Sequence, residues 1–110
     1  MGACPRIVAE RLGWHNAAMA VSRAARRKER TPRVIEVFGE DRAQVALDLL
    51  ELTELAWHDC YGEVTPSEGL VEDMLLLSEG RVEGLIRAVR LGVTDWRDLR
   101  VAADALRRDG

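Results

Sequence analysis

The sequence predicts an all-α protein, and three observations carry that prediction. Residues 40–62, EDRAQVALDLLELTELAWHDCYG, repeat apolar side chains at helical spacing over more than five turns. Gly and Pro number only 9 and 3 in 110 residues, too few for the many turns of an all-β fold. Helix stop and start signals then recur at Gly62, at Thr65-Pro66-Ser67-Glu68 and at Gly92-Val93-Thr94. The expected architecture is an antiparallel helical hairpin, residues 40–61 and 66–91, capped by a third helix over 95–108. A basic, partly helical arm precedes it, dividing the chain into an arm (1–33) and a helical domain (34–110).

In chain order, residues 5–30 favour helix by composition, with an interruption at Gly13. Asn16 to Arg30 shows no clean apolar stripe. Thr31-Pro32 is expected to end this stretch, because the residue before proline is pushed out of the helical region. Residues 33–38, RVIEVF, are β-branched and apolar, but a lone strand has no partner, so they read as an extended linker. Val37 or Phe38 would pack on the start of the next helix.

In the helix over 40–61, Val45, Leu49, Leu52 and Ala56 form one stripe, widened by Ala46, Leu50, Trp57 and Tyr61. Gln44, Asp48, Glu51, Glu54, His58 and Asp59 would face water. Gly62 supplies the stop. Thr65-Pro66-Ser67-Glu68 has capping-box spacing, with Thr65 as N-cap and Pro66 in the first helical position. The short link makes the two helices antiparallel neighbours. From Pro66 to Leu91 an unbroken helical count keeps Leu70, Val71, Met74 and Leu75 in phase with Val82, Leu85, Ala88 and Val89. One helix is therefore expected, weakened at Gly80 and Gly84, with Arg81 extending its stem out of the stripe. Gly92 would end it and Thr94 would cap the last helix, whose Trp96, Leu99, Ala103 and Leu106 share a face.

The bulk numbers fit one globular domain, with 47% hydrophobic and 32% charged residues. No apolar run approaches the ~18–20 residues of a membrane span, and no signal-type apolar core opens the chain, so a cytoplasmic location is expected. Cys4 and Cys60 read as reduced thiols. The net charge of −3 conceals a division: residues 1–33 hold eight basic side chains against two acidic, and residues 34–110 eight against seventeen. That gives +6 against −9. A basic arm lying across acidic helices would neutralise both.

Candidate chemistry is sparse. Glu51, Glu54 and His58 lie one turn apart, but the Glu-x-x-x-His spacing occurs once and on the polar face, which favours a solvated pair over a metal site. Glu51-x-x-Glu54 resembles the first half of the magnesium-binding pattern of all-α nucleotide pyrophosphohydrolases. The second half, Glu-x-x-Asp on a later helix, does not occur: Glu68, Glu72, Glu79 and Glu83 are followed three on by Val71, Leu75, Val82 and Ile86. His58 and Cys60 point apart on a helix, so they form no nucleophile pair, and Cys60 reads as a small core residue. No phosphate loop or Cys-x-x-Cys is present. Two segments resemble a helix-turn-helix turn, Ala9 to Gly13 and Ala88 to Gly92. The helix after the second carries Asp95, Asp98 and Asp104, which repel phosphates.

The sequence therefore points to a non-enzymatic helical interaction module without cofactor or metal. It would self-associate or bind a partner protein through Leu47, Leu55 and Leu76, which lie off the main stripes. The alternative is a small nucleic-acid-binding regulator that uses residues 6–33, with Arg23, Arg26, Arg27, Lys28 and Arg30 on the phosphates. No membrane role is expected.

Overall fold

A computed structural model describes residues 22–109, and every regular element in it is helical. Five helices are described: α1 (Arg23–Phe38), α2 (Glu40–Tyr61), α3 (Glu68–Ser78), α4 (Val82–Thr94) and α5 (Trp96–Asp109). The all-α class holds, and α2 and α5 fall where the sequence places them. The expectations for Gly13 and for the turn at Ala9 to Gly13 lie outside the described residues.

α1 corrects the expected linker, because residues 31–38 continue the helix through Pro32. Ser22 caps it, its hydroxyl accepting from the Ala25 N–H at 3.1 Å. Pro32 withholds one N–H from the carbonyl of Lys28, but both residues are exposed, so water can reach that carbonyl. An interior proline costs about 3 kcal/mol. Burial of Val34 and Phe38 within the next two turns opposes that cost, as do the ion pairs made by the first half of the helix. Here tertiary packing outweighs local propensity. The helix crosses position 33, so the basic segment 23–33 and the start of the acidic one form a single element.

At Gly39 (φ 82°, ψ 161°) the chain reverses into α2, which runs antiparallel to α1. The buried side of α2 consists of Ala43, Ala46, Leu47, Leu50, Thr53, Glu54 and Trp57. This overturns the expected stripe, since Val45 and Leu52 are exposed and Leu49 and Ala56 only half-buried. α2 carries two apolar stripes on roughly opposite sides. The core forms on the side of Ala43 and Ala46, both buried.

Gly62 (φ 72°) closes α2 in the left-handed conformation, its N–H donating to the His58 carbonyl at 2.9 Å. The following cap is Ser67, whose Oγ accepts from the Leu70 N–H at 3.2 Å, and not Thr65. Thr65 instead accepts from Arg30 Nη2 at 3.1 Å.

The single helix expected over 66–91 is two helices. α3 ends at Ser78, and Glu79 (φ 53°) and Gly80 (φ 76°) turn the chain through the left-handed region. The buried Ser78 hydroxyl donates to the Leu75 carbonyl at 2.6 Å and accepts from the Gly80 N–H at 3.2 Å. Both halves bury a face against each other, so continuity of phase did not imply continuity of helix. Gly92 does not stop α4 either. It lies inside the helix, where a Cβ would stand 3.0 Å from Leu99 Cδ2 and 3.2 Å from Met74 Cε. The next turn is held by Asp95, whose Oδ1 accepts from the Arg97 N–H at 2.9 Å, while the Thr94 hydroxyl donates back to Arg90.

α2 packs chiefly against α1 and α4, and α3 against α4 and α5. The hairpin is therefore α1–α2 rather than residues 40–61 with 66–91. One core, including Val34, Phe38, Leu50, Trp57, Met74, Leu85 and Leu99, runs through all five helices.

Candidate functional site

The basic side chains of α1 lie against the carboxylates of α2 and α3. Helical spacing puts Arg23, Arg26, Arg27 and Arg30 on the side of α1 that meets α2. Glu54, 1% exposed, is the centre of this seam. Its Oε2 accepts from Arg26 Nε at 2.6 Å and Arg30 Nη1 at 3.1 Å, and its Oε1 from Arg26 Nη2 at 3.1 Å. Arg23 Nε stands 3.4 Å from Oε1. Arg30, itself buried, also donates to Glu68 at 2.9 Å. Arg27 reaches Asp48, Glu51 and Gln44 at 2.7–2.8 Å, and Arg33 grips Glu72 with two nitrogens. Lys28 is exposed on the outer side.

Burial alone would push the Glu54 carboxyl pKa up. The Arg26 hydrogen bonds and the charges of Arg26 and Arg30 outweigh it and hold the group below the ordinary carboxylate range. Arg26, Arg27 and Arg33 are correspondingly held more firmly protonated, chiefly by their hydrogen bonds to Glu54, Glu51 and Glu72.

This geometry corrects the reading of Glu54 as a solvated partner of His58. Glu54 is turned inward and His58 outward. A signal for it was in the sequence: Arg26 and Arg30, four apart, share a helix face that can converge on one carboxylate. A second buried carboxylate, Asp73 of α3, was missed altogether. It accepts from Arg107 Nη2 at 2.7 Å and Arg100 Nε at 3.2 Å, tying α5 to α3. Cys60, expected in the core, is exposed. Among the described residues no three His, Cys, Asp or Glu side chains gather as a metal site would require.

The three leucines named for an interface separate. Leu47 is 2% exposed and belongs to the core, Leu76 is half-buried, and Leu55 is 49% exposed. Leu55 borders the outer stripe of α2, where Val45 is 52% and Leu52 61% exposed and Leu49 and Ala56 complete the row. The spacing i, i+4, i+7, i+11 places these four on one line about 16 Å long.

At the C-terminal end of α2 lies a cavity of about 390 Å³ lined by Trp57, Tyr61, Glu63, Ser67, Leu70 and Trp96. Trp57 is buried, and its Nε1 donates to Glu63 Oε1 at 3.0 Å. Tyr61 packs on Trp57 with ring centroids 4.6 Å apart, and its hydroxyl reaches the Gly92 and Val93 carbonyls at 2.8 and 3.2 Å. Gly92 thus has two functions, letting α4 close over Trp57 and presenting a carbonyl to Tyr61.

Among the described residues no helix is long and apolar enough to cross a membrane. No protein-family model, curated protein or solved structure matches this chain.

Proposed function

We propose that this small all-helical domain is a non-enzymatic interaction module that self-associates through the outer face of α2. The observation that carries the reading is the row Val45, Leu49, Leu52 and Ala56, flanked by Leu55, on a helix whose other side already fills the core. Contiguous exposed apolar surface of this kind marks contact sites. A second copy presents the same row at the same length, which suits an isologous two-fold contact. The nucleic-acid alternative draws less support. Arg23, Arg26, Arg27 and Arg30 would each have to leave a carboxylate to reach a phosphate.

Sedimentation velocity at tens of micromolar is expected to show a dimer or larger species. Leu52→Lys should return it to a monomer that is still folded by circular dichroism, since Leu52 is 61% exposed within the single chain and contributes little to its core. A monomeric wild-type protein at that concentration would refute the reading.

A further inference from the structure

We infer that the cavity between the end of α2 and the start of α5 is a binding site for a quaternary ammonium group. The inference is independent of self-association, because its lining residues lie beyond the outer row of α2.

Three aromatic rings and one carboxylate line the cavity. Trp96, 40% exposed at the rim, is the ring that offers a face to the cavity, while buried Trp57 and Tyr61, packed on it and fixed by two carbonyls, form the floor. The faces of such rings attract cations, tryptophan most strongly. Trp96 already shows this attraction: the Arg97 guanidinium, which is not part of the lining, stands 5.9 Å from its ring centroid. Glu63 adds a carboxylate beside them. Among the described residues no Arg, Lys or His pairs with it. A carboxylate without a countercharge beside aromatic walls is complementary to a cation.

The hydrogen-bonding inventory selects the kind of cation. A lysine ammonium brings three donors and a guanidinium five, all of which need acceptors once desolvated. The lining has few to offer. Glu63 Oε1 is taken by Trp57 and Ser67 Oγ already accepts from the Leu70 N–H, which leaves Glu63 Oε2 as the one side-chain acceptor still open, too few for three donors or five. The Tyr61 hydroxyl is committed to Gly92 and Val93, and Leu70 has no polar side-chain atom. A quaternary ammonium carries the charge but no donor, so it leaves none unsatisfied. The cavity lies within the usual range for small-ligand sites, about 300–1,000 Å³.

Choline and a trimethyllysine peptide carry the same head group from different sources, and 3,3-dimethylbutan-1-ol is the uncharged isostere of choline. Each is titrated into the full chain with tryptophan fluorescence and calorimetry as readouts. Saturable binding of choline, of the peptide or of both is expected, with the isostere at least about tenfold weaker. A tighter peptide would identify a protein-borne ligand, and equal affinities a site that reads the head group alone. Trp96→Ala and Glu63→Gln should each weaken binding about tenfold. Both residues are exposed, so circular dichroism should show the fold intact. No binding at millimolar concentration, equal binding of the isostere, or affinities untouched in both variants would overturn the proposal.

Discussion

Glu54→Gln is expected to destabilise the fold by about 3–5 kcal/mol, the range for removing one partner of a buried ion pair. The loss comes less from the missing attraction than from what is left behind. Arg30 is 8% exposed and would keep its charge with only the exposed Glu68 carboxylate to face it, and Arg26 would trade its two charged bonds to Glu54 for at most one to a neutral amide oxygen. Chemical denaturation at neutral pH measures the effect. Glu51→Gln is the comparison: its ion pair with Arg27 is only partly buried, and a change of about 0–1 kcal/mol is expected. Replacing Glu54, Arg26 and Arg30 together by apolar residues should recover much of the loss, because the charges left without partners, Arg23 and Glu68, are exposed and no buried one remains unpaired.

The same carboxylate gives the stability a pH dependence of definite sign. Its folded pKa lies below the ordinary value of about 4.5, so the unfolded chain binds the proton more readily. The contribution is fully present above the unfolded value and is lost as pH falls through the folded one. Wild-type stability should therefore drop below about pH 4.5, and the Glu54→Gln variant should show a shallower decline. Equal slopes for the two proteins would remove Glu54 from the explanation.

Gly84→Ala is expected to cost about 3 kcal/mol, the upper end for overpacking. Gly84 sits in the first turn of α4 beside the corner at Ser78. An added Cβ would run into the Ser78 carbonyl oxygen and stand 2.9 Å from its carbonyl carbon. Both are backbone atoms, so relief requires moving α3 against α4. Gly69→Ala offers the contrast. There the close neighbour is the half-exposed end of the Arg100 side chain, 2.8 Å from the added atom, which can shift by loosening its 3.2 Å bond to Asp73 without moving any backbone. An alanine in that helix gains about 0.8–1 kcal/mol of propensity, so the net change should be near zero or favourable. Thermal melts of the two variants separate these outcomes, and similar melting temperatures would show that the corner yields easily.

How much of this was legible in the sequence depends on which kind of force decides each feature. The limits of α2 are set by a glycine on each side, Gly39 and the left-handed Gly62. The end was readable as such, whereas the start was placed correctly for the wrong reason, since the β-branched residues before it are helical. The side of α2 that is buried was not. Val45, Leu49, Leu52 and Ala56 make as good a stripe as Ala46, Leu50 and Trp57, and only the neighbours decide between them. The break at Ser78 escaped because two helices that each bury a face can keep one phase. Pro32 misled because its local cost is real, yet smaller than the burial and charge pairing it has to oppose. For the seam, the opposite charges of the two segments were visible, and so was their capacity to neutralise each other. The inward turn of Glu54 was not, because a carboxylate on a helix reads as solvated until its cationic partners are placed.

The composition of α1 also sets where it opens first. Its buried apolar side chains, Val34 and Phe38, are confined to the end nearest Gly39, whereas the end nearest Ser22 is held to α2 by guanidinium–carboxylate contacts. The more exposed contacts of Arg23 and Arg27 weaken with added salt, those buried around Glu54 much less and apolar ones not at all. α1 should therefore loosen from α2 in one direction only, from the Ser22 end. Amide deuterium uptake in molar sodium chloride should quicken over residues 24–30 and stay slow over residues 34–38. The domain would then have a salt-operated flap hinged at its own core, and uniform uptake along α1 would exclude that behaviour.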